Sequence, residues 1–502
     1  MSNLLYDSLF GCHAGDDKPF LIFADGSQIS YDAFLRMASR FANTLKQAGL
    51  SAGDRLAVQV EKSAEALALY AACVQSGIIF LPLNTAYKPA EVDYFISDSG
   101  TRMLIAGDAE SLQPVAAAHG VILDHMAADG SGSFTSLAAK ASDQFVPVPR
   151  AGNDLAAILY TSGTTGRSKG AMLTQYNLLS NAQTLFDAWR FTEDDVLLHA
   201  LPIFHTHGLF VATNIILLAR ASMIFLPKFD VDSVFALLPQ ATSMMGVPTF
   251  YTRLLDDQRL TADSTRHIRL FVSGSAPLLA ETHLQFSELT GQQILERYGM
   301  TETNMNTSNP YDGLRRAGTV GLPLAGVELK ITDSETGATL EDGAIGQIEV
   351  RGPNVFVGYW NMPEKTREEL REDGFFITGD LGFIDDQGYV HIVGRNKDLI
   401  IAGGYNIYPK EIELILDDQP GVLESAVIGV PHADFGESVV GVLVPDSSGL
   451  LDLENITESV EASLAKFKQP RKLVVVDALP RNAMGKVQKN ILRDTYGSAG
   501  LA

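Results

Sequence analysis

Leu155-Ala-Ala-Ile-Leu-Tyr160, an apolar run of strand length, passes directly into Thr161-Ser-Gly-Thr-Thr-Gly-Arg-Ser-Lys-Gly170, and this junction decides the reading of the chain. The run predicts a buried strand. In the segment after it, glycines let backbone N–H groups turn inward, hydroxyls add donors, and Lys169 adds a compact charge. Together these suit a cradle for phosphate oxygens. The P-loop spacing G-x-x-x-x-G-K-[ST] is absent, because Ser168 stands where its second glycine belongs. Gly166-Arg-Ser-Lys-Gly170 formally matches G-x-S-x-G, the strained turn that presents a nucleophilic serine, so a serine hydrolase is a rival reading. A solvated Gly/Ser/Thr connector is the third.

Outward from the junction, helical periods alternate with short apolar runs, the pattern of α/β layers. Phe34, Met37, Ala38, Phe41, Ala42 and Leu45 share one helical face, with Ser30 placed to cap the start and Gly49 to end it. A strand at 55–60, a helix at 63–76 and a strand at 78–83 predict a βαβ unit, and 127–142, rich in Ser, Ala and Gly, reads as a surface connection. At 502 residues the chain exceeds the roughly 250–300 that one core supports, so at least two domains are expected. The pattern shifts after Arg351 to short strands with Gly turns. This places an N-terminal domain at 1–394, a hinge at 395–398 and a compact C-terminal α+β domain at 399–502.

The net charge of −22 disfavours nucleic acid and anionic membranes as partners. No apolar run reaches the roughly 18 residues of a membrane span, and 1–10 lacks the features of an address signal, so a cytoplasmic protein is expected. Two cysteines, Cys12 and Cys73, are too few for a disulfide framework or a Cys-rich zinc site.

Tyr160 to Gly170, Tyr298-Gly-Met-Thr-Glu302, Thr378-Gly-Asp380, Gly394-Arg-Asn-Lys-Asp398 and Gly485-Lys486, taken in that order, resemble the adenylate-forming superfamily. The resemblance implies an α/β fold with a large N-terminal domain of layered α/β subdomains and a small, mobile C-terminal α+β domain. It implies ATP, Mg²⁺ and coenzyme A as the small-molecule partners of an acid, activated through an acyl-adenylate. It assigns the nucleotide's phosphates to Thr161, Ser162, Gly163, Thr164, Thr165, Gly166 and Lys169. The adenine falls between Ser275-Ala276-Pro277 and the run Glu296, Arg297, Tyr298, Gly299, Met300, Thr301. Glu302 is implied as the Mg²⁺ carboxylate, Asp380 as the acceptor of the ribose hydroxyls, and Arg395 as the arginine that meets ribose and phosphate. Lys397 takes the hinge position and Lys486 the role of mobile adenylation cation, with Glu302 and Lys169 sharing in the catalysis. Bland readings stand beside these: Glu302 as a helix-start carboxylate, Asp380 as a turn residue, and Lys486 as a solvated lysine.

For the acid, Arg297 precedes Tyr298 where members that take apolar acids more often carry an uncharged residue. A cation there suits a second carboxylate. Arg253, beyond the Gly246–Tyr251 segment, offers another, and Ser275, His205 and His207 join the expected acid site; if extended, 205–207 would point both histidines the same way. The expected acid is malonate, with methylmalonate tolerated. The alternatives are another short-chain acid or an aryl acid, and an Arg297 that pairs with Glu296 or another acid and never meets the substrate. Acetylation of Lys486 by a protein lysine acetyltransferase would remove its charge. Gln175 departs from the histidine that the family often carries there.

Overall fold

The computed structural model describes residues 2–161, 168–402, 405–432, 436–482 and 486–497. Its contacts divide it into two units, Met1–Leu329 with Val350–Phe376, and Lys330–Glu349 with Ile377–Ala502.

The first unit is built on two largely parallel sheets. One has six strands in the order Ile122–His125, Met103–Ala106, Arg55–Gln59, Ile79–Pro82, Leu155–Thr161 and Lys169–Thr174. Its βαβ unit forms as the sequence predicts: helix Ala64–Ser76 joins two adjacent parallel strands, Ser63 caps it and Gly77 ends it at φ 72°. Helix Tyr31–Gln47 likewise has Ser30 at its N-cap, an interaction worth about 1 kcal/mol. The 127–142 stretch is not all connection, because Ser133–Ala138 is helical and buries Phe134 against Phe41.

The second sheet has nine strands, ordered Leu322–Pro323, Asn304–Ser308, Ile294–Met300, Leu270–Ser273, Ser243–Gly246, Val196–His199, Ser222–Phe225, Pro19–Ile22 and Gln28–Ser30. The six strands inside the edge ones at each end run parallel, from Ile294–Met300 across to Pro19–Ile22. Tyr251, Phe271 and Phe286 meet edge to face in its core, and the Tyr251 hydroxyl donates to the Val272 carbonyl at 2.6 Å. In such sheets ligands bind beyond the carboxyl ends of the strands. Here those ends are His199, Gly246, Ser273 and Met300, and the segments that follow them carry most of the expected acid-site residues.

A four-stranded antiparallel-edged sheet, Glu328–Thr332, Gly346–Arg351, Phe376–Ile384 and Val390–Arg395, lies mostly in the second unit. The rest of that unit is a five-stranded sheet in which Val422–His432 and Gly436–Pro445 form a long hairpin, with Lys472–Val475 added in parallel. Helices Pro409–Asp417 and Leu453–Ser463 pack over an aliphatic core that includes Ile407, Ile412, Val427 and Leu443. The 395–398 segment is a strand end running into a short 3-10 turn within this unit.

Candidate active site

The glycine-rich segment joins two antiparallel strands, Leu155–Thr161 and Lys169–Thr174, in one hairpin. That geometry removes the serine-hydrolase reading, because a nucleophile elbow must lead from a strand into a helix. Ser168 instead presents its carbonyl to the Tyr94 hydroxyl at 2.7 Å. Ser162, Gly163, Thr164, Thr165, Gly166 and Gly485 lie outside the described residues.

Lys169 opens the second strand of the hairpin, where residues 358–360 run alongside it: Trp360 N–H donates to the Gly170 carbonyl at 2.7 Å and Met172 N–H to Gly358 at 3.0 Å. This register brings Tyr359 to the lysine. Lys169 Nζ donates to the Tyr359 hydroxyl at 3.0 Å and to both oxygens of Glu369, at 3.1 and 3.0 Å. The Tyr359 hydroxyl in turn lies 2.6 Å from Glu369 Oε2 and 3.0 Å from Glu302 Oε1. Burial first, and then the carboxylates of Glu302 and Glu369 on two sides, drive the phenol's pKa far above its usual value. Lys365 Nζ stands 3.0 Å from the other Glu369 oxygen, and the favourable contacts with Tyr359, Lys169 and Lys365 outweigh desolvation to hold the Glu369 carboxyl below its usual pKa. The sequence reading missed Tyr359 and Glu369. Neither has a spacing relation to Lys169, which precedes them by 190 and 200 residues.

Glu302 sits at the tip of the hairpin formed by Ile294–Met300 and Asn304–Ser308, and it is buried. The hairpin is tight: a Cβ on Gly299 would stand 1.9 Å from the Asn304 carbonyl oxygen, and Asn304 itself takes φ 49°. Tyr298 is buried on the same strand, while Gly299, Met300 and Thr301 are partly exposed toward its tip. A buried carboxylate is a suitable hard ligand for Mg²⁺. Among the described residues no three His, Cys, Asp or Glu side chains converge as a metal cage, and Mg²⁺ held mainly by substrate phosphates needs none.

Arg297 and Glu296 are neighbours on one strand and so project to opposite faces. Glu296 Oε1 accepts the Leu278 N–H at 3.1 Å, and the two form no ion pair. Arg297 is 3% exposed, with Nε and Nη2 lacking any hydrogen-bond partner among the described residues. Its guanidinium lies against Gly274: a Cβ there would stand 2.3 Å from Cζ and 2.6 Å from Nε. Burial pushes the Arg297 pKa down to about 9, against the opposing fields of Tyr251 and Glu296.

His207 stands in the field of Arg297. It is buried, its Nδ1 is 3.2 Å from Ser275 Oγ, and its Nε2 has no partner among the described residues. Burial first, then Arg297, drives its pKa well below the usual value, so it is neutral at pH 7. The segment is not extended as the sequence reading supposed. Thr206 is helical and His207 opens a π-helical turn, His207–Thr213, so the alternation argument for His205 and His207 does not apply. His205 is half-buried, and Thr206 Oγ1 donates to Asn304 Oδ1 at 2.7 Å, tying this segment to the Glu302 hairpin.

Ser275 holds φ 72°, a conformation that costs a non-glycine residue on the order of 1–3 kcal/mol and that clusters at functional sites. Ala276 beside it is half-buried and Pro277 exposed. Arg253 is not brought into the group. It lies exposed in the last turn of helix Pro248–Leu255, whose buried side is Tyr251 and Leu254. The glutamine departure also has its reason: Gln175 Oε1 accepts the Leu5 N–H at 3.1 Å, fastening the first helix.

In the second unit Asp380 and Arg395 are cross-strand partners, with Nε and Oδ1 2.7 Å apart, and Asp380 is buried. Lys397 is exposed, and the neighbouring Asp398 pairs with Arg493 at 2.6 Å. Lys486 is exposed, its backbone N–H accepted by Asn482 Oδ1 at 3.0 Å. Lys468 pairs with Glu411 at 2.7 Å.

Residues 12–360 match the sequence profile of AMP-binding enzyme, and residues 411–486 match that of the AMP-binding enzyme C-terminal domain. The chain is 35% identical to a malonate–CoA ligase of Arabidopsis thaliana, over 94% of this chain and 85% of that protein. It is 36% identical to a mitochondrial malonate–CoA ligase of Mus musculus, over 84% and 78%. Among solved structures, ATP-bound MatB from Rhodopseudomonas palustris superposes with a TM-score of 0.97 at 57% identity, covering 99% of this chain and all of that one.

Proposed function

The chain belongs to the AMP-binding enzyme family, and from that premise we propose that it joins malonate to coenzyme A at the expense of ATP, through a malonyl-adenylate. The observation that carries the choice of acid is Arg297: a buried guanidinium with two N–H-bearing nitrogens unpartnered among the described residues, facing neutral His207. An apolar acyl chain would leave those donors unsatisfied, whereas the distal carboxylate of malonate accepts from them in a charge-assisted bond. The two named ligases of plant and mouse support the same acid.

The reaction has two halves. The proximal carboxylate oxygen of malonate attacks the α-phosphorus of ATP, forming the acyl–O–P bond and releasing pyrophosphate. The coenzyme A thiol then attacks the acyl carbonyl, giving its proton to solvent, and AMP leaves with the former bonding pair. Neither step requires an enzyme nucleophile, so positioning and charge carry the acceleration. In our reading Lys169 and the described Thr161 face the phosphates, with the hydroxyls and glycines at 162–166 completing the cradle. Tyr298 to Thr301 pack on the adenine opposite Ser275, Ala276 and Pro277, and Asp380 and Arg395 take the ribose. Glu302 holds the Mg²⁺, which neutralises phosphate charge when bound. Lys486 supplies a cation to the charge that builds between carboxylate and α-phosphate, and 395–398 with Lys397 acts as the hinge between the half-reactions.

Thioester formation with malonate, methylmalonate, succinate, butyrate and acetate, each with ATP and Mg²⁺, tests the proposal. Malonate is expected to be turned over fastest, with methylmalonate as a slower second. Turnover of butyrate at or above the malonate rate would refute the assignment of the acid while leaving the ligase chemistry in place.

A further inference from the structure

Lys62 is buried without a carboxylate partner among the described residues. It follows strand Arg55–Gln59 and precedes the Ser63 cap, and its ammonium nitrogen lies 2.7 Å from His199 Nδ1, 2.8 Å from the His199 carbonyl and 4.3 Å from the centre of the Phe225 ring. Burial alone pushes its pKa well below that of an ordinary lysine. Enclosing an ammonium in this way opposes folding, and an apolar side chain of like volume would leave the unit at least as stable. Core packing therefore does not account for a lysine here.

The hydrogen bonds give it a different task. Burial keeps the His199 ring neutral, and its Nε2 faces a carbonyl, which can only accept, so the ring proton sits on Nε2 and Nδ1 accepts from the Lys62 nitrogen. That Nε2–H points at the Gly208 carbonyl, 2.8 Å away, which also accepts from Thr213 Oγ1 at 3.0 Å. Gly208 is the second residue of the π-turn that begins at His207, and it has no room to shift: a Cβ on it would stand 2.1 Å from the Pro202 carbonyl oxygen. His199 is itself the last residue of its parallel strand, fully buried. One chain of donors thus runs from Lys62 through the end of a rigid strand into the turn that presents His207 beside Ser275 and Arg297. π-Turns interrupt helices at functional sites, and this one is held at the carbonyl of its second residue.

We propose that Lys62, acting through the His199 ring that it holds by Nδ1 and by the backbone carbonyl, is a positioning residue for the acid site, setting the π-turn that places His207 against the distal carboxylate of the substrate. The proposal rests on the dicarboxylate reading of Arg297 and His207, and second-layer partners of this kind orient the groups that touch ligand.

The test is K62M in the full chain, with H199F and the double variant. Expected for K62M are an unfolding temperature equal to or above that of the parent, a malonate KM raised about tenfold, and an unchanged ATP KM. The double variant should be no worse than H199F, because both break one chain. A malonate KM within twofold of the parent, or equal rises in the malonate and ATP KM, would overturn the proposal. So would a K62M that fails to fold together with a K62Q that fails to fold, since Lys62 would then be a structural support. Failure of the underlying reading looks different: the parent enzyme and R297M would then show the same malonate-to-butyrate preference.

Discussion

Replacing Arg297 by methionine, which keeps the length of the stem and removes the charge, separates the cost of this residue from its use. In the ligand-free protein the guanidinium is 3% exposed and pairs with no carboxylate among the described residues, and burial drives its pKa down to about 9. A fall of three or more decades, at 1.36 kcal/mol each, corresponds to a penalty of roughly 4–5 kcal/mol. The penalty is fully present at every pH below about 9 and shrinks only as the pH rises above it, because the depressed pKa belongs to a base. Buried charges replaced by apolar side chains recover about 1–4 kcal/mol after relaxation. R297M should therefore unfold a few degrees higher than the parent in the absence of substrate. With malonate the sign reverses: losing one partner of a buried ion pair costs about 3–5 kcal/mol, or roughly 10²- to 5 × 10³-fold in kcat/KM. Butyrate, which has no second carboxylate, should lose far less, and the ATP KM should hold. Differential scanning of the apoprotein and initial rates of thioester formation read both halves. A variant that is less stable than the parent, and equally impaired with malonate and butyrate, would refute the reasoning, since Arg297 would then be a structural strut.

G274A should reach the same site without touching Arg297, because the added Cβ falls 2.3 Å from the guanidinium carbon and forces the side-chain end aside. Malonate kcat/KM is expected to fall at least tenfold with the fold intact by circular dichroism, and an unchanged value would show that the guanidinium position does not matter. K486A should abolish ATP-dependent adenylation yet retain thioester formation from synthetic malonyl-adenylate, measured by pyrophosphate release and by acyl-CoA production separately; equal loss of both would contradict the role given to Lys486. In the second unit, burial pushes Asp417 from 3.8 up to about 6. A raised carboxyl pKa gives stability that is full below about pH 4 and is lost as pH rises through 6, a change of about 3 kcal/mol. D417N should flatten that loss in urea unfolding at pH 4 and 7, and parallel pH slopes would count against it.

Much of the layered architecture was legible because its signals are local. The Ser30 and Ser63 caps, the glycine ending at Gly77 and the period of the apolar positions each act over a few residues, and the βαβ unit follows from them. Arg297 was picked out by its place directly before Tyr298, where members that take apolar acids more often carry an uncharged residue, and not by the strand that carries it. The π-turn was not legible, since Pro202 to Gly208 has no periodicity that distinguishes it from an extended run, and it is tertiary bonding to His199 and Asn304 that shapes it. Arg253 misled because a helix carries it outward two positions after a buried tyrosine. Tyr359 and Glu369 were invisible, because what brings them to Lys169 is the strand-like path of 358–360 beside the hairpin.

The carboxylate on Lys169 bears on how the protein responds to salt. A cation facing water gathers mobile anions, and a ligand must displace them, so its affinity falls as ionic strength rises. Lys169 instead carries a resident anion, and Glu369 has Lys365 within 3.0 Å to receive it when the first lysine turns elsewhere. In the role proposed for Lys169, taking up a triphosphate would be an exchange of anions within the protein, in which bulk ions have a smaller share, so nucleotide affinity should fall less steeply with salt than at an open lysine patch.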